Sequence, residues 1–87
     1  MENNIRVILA DDKEMYRTAL KQALECFSVS IIGEAGNGKE LLTLLAKTQP
    51  DVVLLDLEMP VMNGNIAFDR ISKNFPDVKV IILSFYL

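Results

Sequence analysis

The stretch VVLLDLEMPVMNG at residues 52–64 opens with four consecutive apolar residues, and Asp56 follows them directly. A short, unbroken apolar run is typical of a strand that is covered on both faces in a parallel sheet. Pro60, Asn63 and Gly64 then mark a loop before the next amphipathic segment. The sequence therefore predicts a buried strand with Asp56 at its carboxyl end.

Working outward, short apolar blocks alternate with segments of helical periodicity along the whole chain. The predicted strands are residues 5–10, 29–35, 52–55 and 78–83, and the predicted helices are residues 13–27, 39–48 and 66–75. This β-α-β-α-β-α-β order with short connections predicts an α/β fold with a doubly wound parallel sheet, because each parallel connection must cross one face of the sheet.

Three aspartates and a serine lie at or directly after the ends of predicted strands. Asp11 and Asp12 come after the first strand, Asp56 ends the third, and Ser84 ends the fourth. The carboxyl ends of parallel strands lie along one edge, so these residues should converge there. Carboxylates placed so close repel each other unless a cation neutralises them, and oxygen ligands suit Mg²⁺.

A structural alternative stays open for each aspartate. Asp11 or Asp12 would cap the first helix, and Asp56 would open a loop. The alternative is harder to sustain for all of them together, because a carboxylate at the end of a buried strand needs a partner. We expect no lysine or arginine to supply it, since none lies near Asp56 in sequence.

Composition limits the possible functions. The 87 residues suffice for one small domain, residues 1–87, and their net charge of −3 argues against direct nucleic-acid binding. No apolar run is long enough to span a membrane. Cys26, the single cysteine, cannot form an internal disulfide and is predicted to be a core thiol beside Phe27, which fits a reducing, cytoplasmic setting.

A second motif, at residues 33–39, competes for interpretation. GEAGNGK fits the first seven positions of a nucleotide-binding Walker A loop. The eighth position is Glu40 where that loop requires serine or threonine, and a carboxylate there would oppose bound phosphate. Gly36 and Gly38 are therefore predicted to serve a strand-to-helix turn.

Three motifs together, ILADD at residues 8–12, VVLLDLEMPVMNG at 52–64 and VIILS at 80–84, resemble the receiver domains of response regulators in bacterial two-component systems. The resemblance implies the flavodoxin-like receiver fold with strand order 2-1-3-4-5. It also implies a regulatory phosphoacceptor, and not an enzyme in its own right, that takes a phosphoryl group from a sensor histidine kinase with Mg²⁺.

The resemblance also implies a role for individual residues. Asp56 would be both the phosphoacceptor and a ligand of Mg²⁺, and Asp12 would bind Mg²⁺ directly while Asp11 would do so largely through water. The backbone carbonyl of Glu58 would complete the protein's ligands, and Ser84 would hydrogen-bond the phosphoryl group and reorient on activation. In the loop after the third strand, Gly64 is expected to adopt a positive φ.

The sequence departs from the family pattern at its end. Receiver domains continue past the fourth strand, whereas this chain stops at Leu87, so the family's lysine at the end of a fifth strand has no counterpart. The fourth strand is then expected to be an exposed apolar edge through which the chain self-associates. The alternative function is a truncated fragment that is incompetent for phosphorylation and acts only in binding or self-assembly.

Overall fold

A computed structural model describes residues 4–83 of the chain. It has four strands and three helices in strict alternation within that range. The elements are β1 (Ile5–Ala10), α1 (Glu14–Leu24), β2 (Val29–Ala35), α2 (Gly38–Lys47), β3 (Val52–Asp56), α3 (Gly64–Asn74) and β4 (Lys79–Leu83). The predicted element order is confirmed, and the ends of β1 and β2 agree with the prediction residue for residue.

All four strands are parallel and lie in the order β2-β1-β3-β4. This is the order that the family resemblance implies for the first four strands, and the doubly wound α/β fold is confirmed. The chain steps from β1 to β2 in one direction and then back across β1 to β3 and β4. Right-handed crossovers therefore place α1 on one face of the sheet and both α2 and α3 on the other.

The buried residues divide between these two faces. Alternate residues of β1 and β3 pack with α2 and α3 in the main cluster, which contains Ile8, Ala10, Val53, Leu55, Leu41, Leu45, Ala67 and Ile71. The other buried side chains of β1, Val7 and Leu9, lie outside that cluster and point to the α1 face. Residues 7–10 of β1 are thus buried on both faces, whereas β3 buries Val53 and Leu55 toward α2 and α3 and leaves Val52 and Leu54 half-buried on the α1 face.

The first helix is shorter and more exposed than the sequence predicts. It ends at Leu24, and none of its residues is buried. Cys26 lies beyond the helix and is exposed, so the prediction of a core thiol is wrong. Met15 and Phe27 are also exposed, at 82% and 66%. Among residues 4–83, α1 is the one helix on its face of the sheet, which leaves part of its apolar stripe uncovered.

No helix in residues 4–83 combines the length and apolar character needed to cross a bilayer.

Candidate functional site

Asp11, Asp12 and Asp56 meet at the carboxyl edge of the sheet, as predicted. A carboxylate oxygen from each lies within 4.8 Å of the others. Asp11 and Asp56 are 1% and 3% exposed, whereas Asp12 faces solvent. The fourth predicted site residue, Ser84, lies outside the described residues. β1 and β3 are neighbours in the sheet, and this pairing brings together side chains 45 positions apart in sequence.

The two buried aspartates are held in the same way. Asp11 Oδ1 accepts the Lys13 amide at 2.8 Å, and Asp56 Oδ1 accepts the Glu58 amide at 3.1 Å. Each carboxylate thus folds the loop that follows its own strand. In each case the other oxygen, Oδ2, is buried and accepts no hydrogen bond within residues 4–83. Two orphaned oxygens at one edge indicate a place for a ligand, because such groups are costly to bury unpaired.

Burial raises the pKa of Asp11 above its usual value, and the nearby Asp56 carboxylate adds to the increase. The hydrogen bond that the Lys13 backbone amide donates to Asp11 opposes this effect, because it stabilises the charged carboxylate. The aspartates therefore hold concentrated negative charge that burial makes unfavourable, and a cation would relieve it.

Lys13 supplies a positive charge that the sequence reasoning missed. Its Nζ lies 3.2 Å from Asp12 Oδ1 and 3.7 Å from Asp56 Oδ2. The expectation that no lysine or arginine pairs with Asp56 is therefore wrong, because proximity to Asp56 in sequence was the wrong criterion. β1 and β3 are adjacent, so a residue that follows β1 faces the end of β3. The hydrogen bond to Asp12 raises the pKa of Lys13 and keeps the ammonium charged.

The structural alternative for Asp11 and Asp12 is not what the structure shows. Lys13 is the cap residue of α1, and its side chain makes no capping hydrogen bond. Asp11 bonds the Lys13 amide in front of the helix instead. Asn37 and Asn63 cap α2 and α3 through their side chains, whereas the residue in the equivalent position of α1 is Lys13 and not an aspartate.

Arg17, one turn into α1, anchors the backbone of the site. Its guanidinium donates to the Asp11 carbonyl and to Glu34 Oε1, the latter at 3.0 Å. Lys21 also pairs with Glu34, at 2.9 Å. The hydrogen bond from Lys21 makes the larger contribution to holding the pKa of Glu34 below its usual value, and the bond from Arg17 makes a smaller one. This ion-pair group joins α1 to β2 and fixes the end of β1, which carries Asp11.

The loop after β3 depends on a close backbone approach at Gly64. A Cβ there would lie 2.5 Å from the Asp56 carbonyl oxygen and 2.5 Å from Leu57 Cα. Gly64 also donates its amide to the Leu57 carbonyl at 2.9 Å. The expectation of a positive φ at Gly64 is wrong, because no described glycine has one. The left-handed residue of this loop is Val61, with φ 67°.

The glycine-rich turn before α2 is already bonded internally. Glu40 Oε1 accepts the Gly36 amide at 2.7 Å, and Asn37 Oδ1 accepts the Glu40 amide at 2.8 Å. The Gly38 amide donates to the Met62 carbonyl at 2.9 Å. A Walker A loop needs such amides free to hold phosphate. The structure therefore favours the turn over a nucleotide-binding loop.

The residues at the carboxyl edge fit a bound Mg²⁺. Mg²⁺ takes one or two carboxylates and keeps several waters, and the Asp11 and Asp56 carboxylates are both buried, each with an oxygen that accepts no hydrogen bond from residues 4–83. Asp12 adds an oxygen that solvent reaches. Glu58 enters the site through its amide, and the metal-binding role of its carbonyl stays a prediction.

Comparisons with known proteins agree on one family. A family model described as the response regulator receiver domain matches residues 7–86. A protein-glutamate methylesterase/protein-glutamine glutaminase from Hahella chejuensis is 38% identical over 80 residues, which is 92% of this chain and 23% of that protein. The transcriptional regulatory protein DegU of Brevibacillus brevis is 33% identical over 98% of this chain and 36% of its own length. The chain thus spans well under half of these relatives.

A solved structure gives the same answer for the fold. The signal receiver domain of NarL from Mycobacterium tuberculosis superposes with a TM-score of 0.91 and 31% identity. The match covers 99% of this chain and 70% of that one. The four-stranded sheet with its three helices is therefore a flavodoxin-like receiver fold.

Proposed function

The chain belongs to the response regulator receiver domain family, and we propose that it accepts a phosphoryl group on Asp56 from a sensor histidine kinase, with Mg²⁺ bound beside it. The resemblance of its three motifs to that family is confirmed by the comparisons. A receiver domain of a two-component response regulator is a regulatory unit. The methylesterase activity named for some relatives belongs to those proteins.

One observation supports this proposal above the others. Asp56 Oδ2 is buried, lies at the carboxyl end of β3 and has no hydrogen bond, while Asp56 Oδ1 is fixed by the Glu58 amide. An oxygen held in place with its lone pairs unused is suited to act as a nucleophile. In the proposed step it attacks phosphorus as the phosphorus–nitrogen bond of the donor histidine breaks, and the imidazole nitrogen keeps the bonding electron pair.

The surrounding residues position this step. Phosphoryl transfer depends mainly on alignment and neutralisation of charge. Asp12 would hold Mg²⁺ directly and Asp11 largely through water, and the ion would supply positive charge against the phosphoryl group. Arg17 donates a hydrogen bond to the Asp11 carbonyl and holds the backbone there. The hydrogen bond from the Lys13 amide to Asp11 Oδ1 orients the Asp11 carboxylate. We also assign the Glu58 carbonyl to the metal and Ser84 to the phosphoryl group, as the family motif implies.

Because its donor would be a kinase that uses ATP, we place this function in the cytoplasm. The test is exposure to acetyl phosphate and Mg²⁺ followed by intact mass spectrometry. We expect one added phosphoryl group that hydroxylamine removes, since hydroxylamine cleaves acyl phosphates. Asp56→Asn should abolish the addition, and Asp69→Asn, which changes an exposed carboxylate on α3, should leave it unchanged. Equal phosphorylation of Asp56→Asn would refute the assignment.

A second function, self-association through β4, is supported by a different observation. Within residues 4–83, β4 pairs with β3 on one side and with no strand on the other. Ile81 and Ile82 are both exposed there. An apolar edge of this kind can pair with another chain. Light scattering tests it: we expect dimers or larger species that Ile81→Lys converts to monomers, and a monomeric wild type at high concentration would contradict the proposal.

A further inference from the structure

Lys13 touches all three aspartates of the site. Its amide donates to Asp11 Oδ1 at 2.8 Å, and its ammonium lies 3.2 Å from Asp12 Oδ1 and 3.7 Å from Asp56 Oδ2. Among the described residues, Lys13 is therefore the one whose side-chain charge pairs with the acidic cluster. It lies against the carboxylates that the proposed function assigns to Mg²⁺.

The contact is loose enough to be broken. The 3.7 Å separation from Asp56 Oδ2 is an ion pair without a hydrogen bond, and that oxygen stays unsatisfied. The Lys13 side chain is 46% exposed. The Lys13 backbone is extended and precedes α1. Movement of the Lys13 side chain therefore leaves both the helix and the hydrogen bond from the Lys13 backbone amide to Asp11 in place.

The ammonium also contacts an aromatic ring in the same position. The Tyr16 ring, in the first turn of α1, has its centroid 5.6 Å from Lys13 Nζ. An ammonium within about 6 Å of an aromatic face is attracted to it. This contact is independent of the carboxylates, so the ammonium can keep it when it moves away from Asp12 and Asp56.

We propose that the Lys13 ammonium is a displaceable counter-ion of the acidic site, which a divalent metal ion must push out before it binds Asp12 and Asp56. This inference rests on the proposed function, because it concerns the same metal site. Lys13 acts on the affinity of the site for metal and takes no part in the chemical step. Its effect is to set the metal concentration at which the site fills.

The size of the effect follows from the contacts. Part-exposed ion pairs contribute modestly, so removing the competing charge should tighten metal binding by roughly fivefold. Two contributions to metal affinity need to be separated. One is displacement of the ammonium that contacts Asp12 and Asp56, and the other is the long-range effect of removing one positive charge. The Debye length falls from about 10 Å at 0.1 M salt to about 3 Å at 1 M. A contact effect should survive at high salt, whereas a long-range effect should vanish.

The experiment measures binding of Mn²⁺ by the loss of its free electron-paramagnetic-resonance signal, with Mg²⁺ as competitor. Lys13→Met keeps the aliphatic stem and removes the charge, and Lys13→Gln is a second variant should the first fold poorly. Lys73→Met is the matched control, since Lys73 also pairs with an aspartate, Asp69, on the exposed face of α3. We expect tighter binding by the Lys13 variants at both salt concentrations and no change for Lys73→Met.

A second readout uses the wild-type chain alone. Mg²⁺ should shift the nuclear magnetic resonance signal of the Lys13 ε-methylene group as the ammonium leaves the carboxylates. If the wild type binds metal while the Lys13 variants bind it equally or more weakly, the inference is overturned and the metal site stands. If neither wild type nor variants bind metal, the proposed function fails and the inference with it. Metal binding by the variants alone would support the inference in its strongest form.

Discussion

Replacement of Gly64 by alanine tests how the loop after β3 holds the acceptor aspartate in position. A Cβ at this position would lie 2.5 Å from two backbone atoms, the Asp56 carbonyl oxygen and Leu57 Cα. Neither can rotate away as a flexible side chain would. Alanine must therefore push the start of α3 away from the end of β3, and the bond from the Gly64 amide to the Leu57 carbonyl must lengthen.

The expected loss of stability follows from these contacts. Overpacking of this kind costs about 1–3 kcal/mol, and weakening of one hydrogen bond adds about 1 kcal/mol. Alanine recovers about 0.5–1 kcal/mol through its better helix propensity and its less flexible unfolded chain. Gly64→Ala should therefore reduce the free energy of unfolding by about 1–3 kcal/mol. Backbone φ contributes nothing, because Gly64 does not have a positive φ.

Gly36→Ala is the matched control. The nearest atom to its Cβ would be Glu40 Oε1 at 3.4 Å, at the end of a flexible side chain. Its free energy of unfolding should stay within about 0.5 kcal/mol of the wild type or rise slightly. Urea unfolding followed by circular dichroism measures both variants. A Gly64→Ala protein as stable as Gly36→Ala would refute the steric reasoning, and Mn²⁺ binding by Gly64→Ala should weaken as Asp56 moves.

Three further perturbations follow from the same structure. Val61→Gly should raise the free energy of unfolding by about 0.5–1 kcal/mol in urea titrations, because a β-branched residue is strained at φ 67°, and a loss would contradict this. In the absence of metal and at neutral pH, Asp11→Asn should raise the free energy of unfolding by about 1 kcal/mol and the melting temperature with it, because it removes a buried charge. The asparagine keeps an acceptor oxygen for the Lys13 amide. An unchanged or lower melting temperature would count against the charge-repulsion account. Glu34→Gln should cost about 0.5 kcal/mol at pH 7. Because ion pairing lowers the pKa of Glu34, this contribution is present above its unfolded pKa and is lost as pH falls through the folded pKa. Unfolding of Glu34→Gln across that pH range should therefore converge on the wild type in acid, whereas Asp69→Asn should show little difference at any pH; a constant Glu34→Gln deficit would contradict the assignment.

The sequence predicts the sheet well because its signals are local and unambiguous. The apolar blocks of β1 and β2 have the bounds seen in the structure, and the run that ends at Asp56 forms β3, with Val53 and Leu55 buried and Val52 and Leu54 half-buried. Convergence of Asp11 and Asp56 then follows from the topology, since parallel strands place their carboxyl ends at one edge. The acidic site was therefore predictable before any contact was known.

The errors lie where neighbours in space decide the outcome. Helical periodicity predicted a buried face for α1, and it cannot show that Met15 and Cys26 would find little to pack against. Gly64 was assigned a special φ, whereas its missing Cβ matters because the β3 backbone passes beside it. Lys13 was overlooked because its partner, Asp56, is distant in sequence, although its place directly after Asp11 and Asp12 is a usable signal.

The most direct test of the central claim is to locate the phosphoryl group chemically. Borohydride reduces an aspartyl phosphate to homoserine, and peptide mass spectrometry after treatment with acetyl phosphate and Mg²⁺ identifies the position converted. The proposed function predicts homoserine at residue 56, dependent on Mg²⁺ and absent when the metal is chelated. Conversion at a different carboxylate, or none at residue 56 in a folded, metal-binding protein, would contradict it.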